Sequence, residues 1–300
     1  MMKKKWMFLL LAALLTMGLA ACGSDKTTTD EESGKKAASV GDSVDYKIIG
    51  IDPGAGLMKA AAKVVDEYGL DDWKLVEGSS AAMTASLKKA YDKKEPIIVT
   101  CWTPHWMFAQ YDLKYLEDPK GVFGKDETIH TIARKGLKDD LPGAYKVLDQ
   151  FNWTPDDMGV VMNNVTNGED PEEAAAKWVK DNADKVSEWT TGAGKVDGDK
   201  ITLGYVAWDS EIASTNVIGK VLTDLGYKVT LLQVEAGPMW TGVADGSLDA
   251  HVAGWLPSTH ADYYKKYEGK FEDLGENLKG TKLGLVVPAY MDIDSIEDLK

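Results

Sequence analysis

Three tryptophans stand at the ends of apolar segments that read as β-strands, and their rings are the groups in this chain best suited to bind a ligand. They lie in the motifs Cys101-Trp102-Thr103-Pro104, Val206-Ala207-Trp208-Asp209 and Gly254-Trp255-Leu256-Pro257. A trimethylammonium group donates no hydrogen bond, but an indole face attracts it by roughly 0.5–2 kcal/mol. One such ring alone would more often belong to a core. Three at strand ends, where open α/β sheets bind ligands, favour a cage for a quaternary-ammonium solute.

The elements around these rings repeat. We predict strand 47–51, helix 57–68, strand 73–76, helix 82–93 and strand 96–100 before Trp102, and strand 201–207, helix 215–225, strand 228–233, helix 239–245 and strand 250–253 before Trp255. Strands alternating with helices in this way are typical of parallel sheets covered by helices. The sequence therefore predicts an α/β fold of two similar lobes, each a mostly parallel sheet flanked by helices.

The lobes are expected to be connected by two strands that cross between them. We interpret the extended segments 129–133 and 283–287 as these crossings, which would form a hinge with the ligand cleft beside it. Lobe I is then 46–128 plus 285–300, and lobe II is 129–284. Between the repeats lies a helical insert, with one long helix predicted over 171–190. Trp178 and Trp189 would pack on one face of that helix.

The turn Asp52-Pro53-Gly54-Ala55-Gly56 leads directly from a strand into a helix. The N–H groups of Gly56, Leu57 and Met58 would be free at the helix start, where the helix dipole favours an anion such as a carboxylate. The alternative is that the glycines merely form the turn. No Lys-Ser/Thr pair follows, so this is no phosphate-binding P-loop.

The histidines give no catalytic or metal motif. His105, His130, His251 and His260 lack the spacing of a zinc site, and we expect neither a metal nor a cofactor. His260 could reach a ligand carboxylate or be a loop residue without a role; His105 is the weaker equivalent in the first repeat. Cys101 has no base partner that would make it a nucleophile, and no serine lies in a G-x-S-x-G motif. We therefore expect no enzyme. The remaining tryptophans are assigned to packing: Trp73, Trp106, Trp153 and Trp240.

The N-terminus reads as an export signal. Residues 1–21 contain three lysines and an apolar run, and they end in Leu19-Ala20-Ala21-Cys22. This ending resembles a lipobox, so we expect cleavage before Cys22 and lipid attachment to it; an ordinary signal with an incidental cysteine is the alternative. The polar residues 22–45 are predicted to be a flexible tether. With Cys22 acylated, Cys101 has no disulfide partner.

The charge of the mature chain restricts its partners. Without residues 1–21 it carries 31 basic and 48 acidic residues, a net charge of −17. This argues against nucleic acid or an anionic membrane surface as a partner.

The chain resembles the glycine betaine-binding lipoproteins of OpuA-type ABC importers from Gram-positive bacteria, over nearly its whole length. Segments 50–56, 79–88, 102–117 (WTPHWMFAQYDLKYLE), 207–220 (AWDSEIASTNVIGK), 234–240 and 255–260 (WLPSTH) carry the resemblance. It implies a two-lobed, type II-like periplasmic-binding-protein fold. It also implies a cage of Trp102, Trp208 and Trp255, carboxylate contacts from Gly56 and Leu57, and assistance from His260. Cys101 is a departure, because a relative in this family has glycine at that position.

The resemblance also implies a function. We expect a monomeric receptor, anchored by lipid at the extracytoplasmic face of the membrane, that binds glycine betaine or proline betaine. It would pass the solute to an ABC permease and ATPase for osmoprotection. A choline- or carnitine-binding protein is the alternative within the same class, and the anion-binding turn speaks against choline. A surface hydrolase is the rival from another class, and the missing nucleophile–base pair speaks against it.

Overall fold

A computed structural model describes residues 39–300. The predicted signal peptide, Cys22 and the tether as far as residue 38 lie outside the described residues. The last residues of the predicted tether form a short helix, Val40–Ser43. A capping box begins it: the side chain of Ser39 accepts from the N–H of Asp42, and the side chain of Asp42 accepts from the N–H of Ser39. Within the described range, no helix has the length and apolar character needed to cross a membrane.

Nine strands form one sheet within residues 39–300. They are β1 (Lys47–Ile49), β2 (Lys74–Val76), β3 (Val99–Thr103), β4 (Leu113–Tyr115), β5 (Glu127–Arg134), β6 (Lys200–Tyr205), β7 (Lys228–Gln233), β8 (Ala250–Leu256) and β9 (Phe271–Pro288).

Twelve α-helices accompany the strands in the same range, and a 3₁₀ turn (Ile296–Leu299) follows them. The helices are α1 (Val40–Ser43), α2 (Gly56–Glu67), α3 (Ser80–Lys93), α4 (Met107–Gln110), α5 (Leu137–Asp140), α6 (Pro142–Gln150), α7 (Pro155–Thr166), α8 (Pro171–Asp181), α9 (Ala183–Thr190), α10 (Asp209–Asp224), α11 (Ala236–Asp245) and α12 (Ala261–Lys266).

The repeat expected from the sequence is present. The first unit, β1-α2-β2-α3-β3, has strand order β2-β1-β3, and the second unit, β6-α10-β7-α11-β8, has the matching order β7-β6-β8. Within each unit the strands pair in parallel. Both Trp-x-Pro motifs contain a cis peptide bond, at Thr103-Pro104 and at Leu256-Pro257. We call these two groups of elements the first unit and the second unit.

Two antiparallel strands, β5 and β9, join the parallel strands of the two units, so the sheet as a whole is mixed. β9 pairs with β3 through Lys282–Val286 and with β5 through 271–281, and β5 also pairs with β8. The expected α/β class is confirmed, and the segments 129–133 and 283–287, which we interpreted as crossing strands, lie within β5 and β9. The change of partner along β9 falls between Thr281 and Lys282, slightly before the boundary that we placed at 284/285. The exact limits of the two lobes stay a prediction.

The long helix predicted over 171–190 is in fact two helices, α8 and α9. Asn182, with φ −119° and ψ 39°, leaves the helical conformation between them. Its backbone N–H and its side-chain amide both donate to the carbonyl of Trp178, at 3.0 Å and 2.8 Å, so Asn182 ends α8. The rings of Trp178 and Trp189 nevertheless stack at 5.7 Å with 13° between their planes. Their assignment to packing is therefore confirmed, although they lie on different helices.

The other tryptophans assigned to packing are buried as expected. Trp153 contacts Phe151 and Trp178. Trp240 is fully buried among His251, His260 and Phe271. Trp73 packs on Tyr46, and its Nε1 donates to the carbonyl of Leu299 at 3.0 Å. These rings stabilise each unit and its flanking helices without facing the cleft.

Candidate ligand-binding site

The three tryptophans at strand ends converge on one cavity. Trp102, Trp208 and Trp255 line this cavity together with the start of α2, at Gly56 and Leu57. The remaining lining residues are Ile51, Ala55, Ser210, Thr259 and Leu283. The lining is almost wholly apolar, and the three indole side chains are only 4–6% exposed. A space of this kind suits an organic cation, which is attracted to the faces of aromatic rings.

Each tryptophan is positioned by a different element. Trp102 lies within β3 and pairs with Leu283 of β9, while Trp255 lies within β8 and pairs with Ile129 of β5. Trp208 is the N-cap residue of α10. Because the first unit contributes Trp102 and the second contributes Trp208 and Trp255, the three rings come together only where the units meet.

The indole nitrogens of these rings differ in their partners. Trp208 Nε1 donates to Asp52 Oδ2 of the first unit at 2.9 Å. Trp102 Nε1 and Ser210 Oγ are buried and have no hydrogen-bond partner in the described part of the chain. Polar atoms left in this state are costly unless something satisfies them. Both belong to residues that line the cavity.

The start of α2 has backbone N–H groups that no side chain caps. Its N-cap residue, Ala55, makes no side-chain capping bond, and the first N–H groups of a helix have no intrahelical acceptor. The N–H groups of Gly56 and Leu57 therefore point outward at the positive end of the helix dipole. A Cβ atom at Gly56 would overlap the carbonyl oxygen of Thr259 and lie 2.8 Å from its carbonyl carbon. Glycine is thus required for the approach of the two units.

Thr259 is held in place by a buried carboxylate. Glu127, at the start of β5 and 3% exposed, accepts from the N–H of Ser258 at 2.5 Å and the N–H of Thr259 at 2.7 Å. The hydroxyl of Thr259 donates to the same carboxylate. Glu127 therefore fixes the loop that closes the cavity opposite α2.

His260 contacts Trp255 and Trp208 but does not line the cavity. Its ring Nδ1 accepts from the backbone N–H of Trp255 at 3.1 Å. Its backbone N–H donates to the carbonyl of Trp255 at 2.9 Å. Its ring faces that of Trp208 at 6.3 Å. Burial lowers the pKa of His260 to about 3, so the ring is neutral. Its Nε2 has no partner among the described residues, and its contact with a ligand carboxylate stays a prediction. Its complete burial is inconsistent with an exposed loop histidine.

His105 takes the corresponding place in the first unit. Its Nδ1 accepts from the N–H of Met107 at 3.2 Å, and its ring lies 4.5 Å from that of Trp102 in an edge-to-face arrangement. Beside it, Trp106 is buried as predicted, but its Nε1 also donates to Asp209 Oδ1 of the second unit at 2.9 Å. Cys101 is fully buried, and burial raises the pKa of its thiol, which leaves it an unreactive packing residue.

Sequence reasoning missed several lining residues. Thr259, in the loop before His260, and Ser210 line the cavity but were not among the predicted site residues. Leu283 reaches the cavity because β9 pairs with Trp102, a non-local contact that no local pattern reveals. The position of Ser210, two residues after a proposed cage tryptophan, was the one available signal.

Comparisons with known proteins identify the family of the chain. The family model described as the substrate-binding domain of ABC-type glycine betaine transport systems matches residues 26–181 and 199–300. The chain is 56% identical over 302 residues to the glycine betaine/carnitine transport binding protein GbuC of Listeria monocytogenes, covering 100% of this chain and 99% of that protein.

Among solved structures, the chain is similar to lactococcal OpuAC in its closed conformation with glycine betaine. That match has 51% identity and a TM-score of 0.48, and it covers 53% of this chain and 64% of the other. A choline-binding protein in complex with choline is 29% identical with a TM-score of 0.44, covering 51% of this chain and 55% of the other. The family match spans most of the sequence, and its members are transport proteins and not enzymes. The chain belongs to the family of substrate-binding domains of ABC-type glycine betaine transport systems.

Proposed function

We propose that this protein captures glycine betaine outside the cytoplasm and delivers it to the permease and ATPase of an ABC importer. One observation supports this most strongly: three indoles from two units and a free helix N-terminus line the same cavity. Glycine betaine carries a trimethylammonium group and a carboxylate one methylene apart. The cavity offers a matching group for each end.

The two ends of the ligand would be bound by different physics. Trp102, Trp208 and Trp255 would surround the cation by attraction to their faces, without any hydrogen bond. The carboxylate would accept from the N–H groups of Gly56 and Leu57, with the neutral His260 assisting through Nε2. Since the two units each hold only part of the site, ligand would shift the population toward the closed arrangement.

Carnitine is the second candidate, because the 56% identical Listeria protein is named for both glycine betaine and carnitine. Carnitine keeps the same two charged ends on a longer chain that carries a hydroxyl. Proline betaine also keeps both ends. Choline has the cation but no carboxylate, so it would leave the N–H groups of Gly56 and Leu57 unused.

Calorimetry on the purified mature protein tests the cage. We expect glycine betaine to bind, choline to bind more weakly, and Trp102→Ala, Trp208→Ala and Trp255→Ala each to reduce affinity by roughly 2- to 30-fold, the equivalent of 0.5–2 kcal/mol. The reason is that each substitution removes one aromatic face from the cation.

Trp73→Ala is the matched control, because Trp73 packs on Tyr46 away from the cavity and its loss should leave affinity unchanged. Thermal melting of each variant would show that it is folded. If glycine betaine still bound at wild-type strength after all three cage substitutions together, the cage would be wrong.

We also propose that the chain is a monomer held at the membrane by lipid on Cys22, which lies outside the described residues. The support is the sequence Leu19-Ala20-Ala21-Cys22 after an apolar run. Cys22→Ala should release the protein from the membrane fraction into the medium or leave its signal uncleaved. Mass spectrometry of the wild-type N-terminus would show a diacylglyceryl-modified Cys22; an unmodified N-terminus would contradict the anchor.

A further inference from the structure

The carboxylate of Asp209 collects hydrogen bonds from the opposite unit. Its Oδ2 accepts from Ser80 Oγ at 2.9 Å, and its Oδ1 accepts from Trp106 Nε1 at 2.9 Å. His105 Nε2 lies 3.6 Å from Oδ2, too far for a hydrogen bond but close enough for electrostatic contact. No ligand is needed to explain these contacts, and none of the four residues lines the cavity.

These bonds join elements that no strand pairing connects directly. Asp209 is the first residue of α10, in the second unit. Ser80 is the first residue of α3, and Trp106 follows β3, so both donors belong to the first unit. In the sheet, β9 and β5 lie between the two units. The bonds to Asp209 therefore form only when the units are brought together.

Asp209 is also next to the cage on both sides. It directly follows Trp208, and its neighbour His105 packs edge-to-face on Trp102 at 4.5 Å. A bond from Asp209 to the first unit thus fixes Trp208 relative to Trp102. These two rings come from opposite sides of the cavity.

The electrostatics favour a charged carboxylate here. Burial would raise the pKa of Asp209, but His105, Trp106 and Ser80 together hold it below its ordinary value. The side chain of Asp209 is 26% exposed, while Ser80 is 2% and Trp106 is 7% exposed. Hydrogen bonds to an ionised acceptor are about twice as strong as neutral ones. Without Asp209, both donors would be buried in the closed arrangement with nothing to bond.

We propose that Asp209 is a positioning residue that keeps the two units closed around the bound solute by accepting hydrogen bonds from Ser80 and Trp106. The proposal rests on the proposed function, since it concerns retention of the same ligand. Asp209 would not touch that ligand. It would slow the reopening of the cleft, and it would therefore act mainly on the dissociation rate.

The test is Asp209→Asn, which keeps the shape of the side chain but removes its charge and turns an amide N–H₂ toward one donor. Stopped-flow fluorescence with glycine betaine should show dissociation at least tenfold faster, with association changed less than threefold. The melting temperature of the ligand-free variant should match that of the wild type. Trp106→Phe removes the donor but keeps an aromatic ring, and it should speed dissociation similarly. The double variant should release glycine betaine little faster than either single variant, because both substitutions remove the same interaction.

Asp262→Asn is the matched control. Asp262 also pairs across the cleft, with Lys59 at 3.3 Å, but its side chain is 80% exposed. Exposed pairs contribute little, so dissociation should change less than twofold. The positioning role of Asp209 would be refuted, while the proposed function stood, in either of two cases. One is that Asp209→Asn changed the dissociation rate as little as this control. The other is that the effects of Asp209→Asn and Trp106→Phe on the dissociation rate were fully additive. If the wild type bound neither glycine betaine nor carnitine, the proposed function would be wrong, and so would the positioning role of Asp209.

Discussion

At the scale of single residues, Gly56 combines two demands that only glycine meets. Its N–H lies at the free start of α2, and its Cα lies against the backbone of Thr259 in the opposite unit. Glu127 holds Thr259 rigidly in that position through bonds to the loop backbone and to its hydroxyl. An added methyl group at Gly56 therefore has no flexible neighbour to displace.

Gly56→Ala should separate stability from binding. Alanine is favoured over glycine in a helix by up to about 1 kcal/mol, so the ligand-free protein should be as stable as the wild type or slightly more so. Closure, however, would bring the new Cβ onto the carbonyl of Thr259. We expect calorimetry to show at least a hundredfold loss of affinity for glycine betaine, with an unchanged melting temperature before ligand is added.

The neighbouring Gly54 provides the control for this prediction. It lies in the same turn, and a Cβ atom there would meet nothing within 4 Å. Gly54→Ala should therefore bind nearly as the wild type does. Equal affinities for Gly56→Ala and Gly54→Ala would mean that the two units do not approach at Thr259 when the ligand binds.

At the scale of elements, local patterns predicted the repeat well. The strand predicted over 228–233 has the observed limits of β7, Lys228–Gln233, and α2 begins one residue before its predicted start. Both depend on apolar periodicity within a short window, which a single sequence contains. The tryptophans at strand ends were placed correctly for the same reason, because strand identity was local information.

The start of α10 was missed, and that error hid two important residues. The helix was predicted from residue 215 but begins at Asp209. Asp209 and Glu211 in its first turn suit the positive end of the helix dipole and could have marked the true start. Treating 209–214 as a loop removed Ser210 from the expected cavity. It also concealed the bonds of Asp209 to Ser80 and Trp106.

Strand β9 shows what a local pattern cannot provide. We predicted a strand only over 283–287, whereas β9 covers Phe271–Pro288. Its first part contains Gly275 and Gly280 at positive φ and several charged residues. Such a sequence is more typical of a loop than of a strand. Pairing with β5 on one side, with register shifts that absorb these residues, keeps it extended. Tertiary pairing therefore overrode local propensity.

At the scale of the whole molecule, contacts between the two units surround the cavity. Besides the bonds of Asp209, Trp208 bonds to Asp52, and the hydroxyl of Tyr263 donates to the carbonyl of Gly54 at 3.0 Å. These links differ in burial, from the exposed Lys59–Asp262 pair to the partly buried Asp209 with its buried donors Ser80 and Trp106. The buried ones determine how firmly the cleft closes, because water and salt screen the exposed ones.

Buried ionisable groups of opposite sign also set how stability depends on pH. Burial raises the pKa of Glu211 to about 8, although the N–H of Val206 bonds to its Oε2. Burial likewise lowers the pKa values of His251 and His260 to about 3. Each group therefore prefers to be neutral in the folded protein. Glu211 opposes folding once the pH rises above its unfolded value of 4.5, and the histidines oppose it once the pH falls below 6.5.

The combined effect predicts maximal stability near pH 6.5. Between pH 8 and 6.5 the folded protein binds one proton more than the unfolded chain, at Glu211, so stability rises as pH falls, by about 1.4 kcal/mol per pH unit. Below pH 6.5 the unfolded chain binds two protons, at His251 and His260, that the folded protein does not bind. Stability from these three groups then falls as the pH is lowered further.

Glu211→Gln isolates the first of these effects. The amide mimics the neutral acid, because its oxygen can still accept from the N–H of Val206, and it cannot ionise. Urea unfolding should therefore show the variant gaining about 2–3 kcal/mol over the wild type between pH 6 and pH 9, as expected for a carboxyl whose pKa rises from 4.5 to about 8 on folding. A constant difference between the two proteins across that range would mean that Glu211 reaches solvent or a cationic partner in the folded state, and that its carboxyl is already ionised near pH 6.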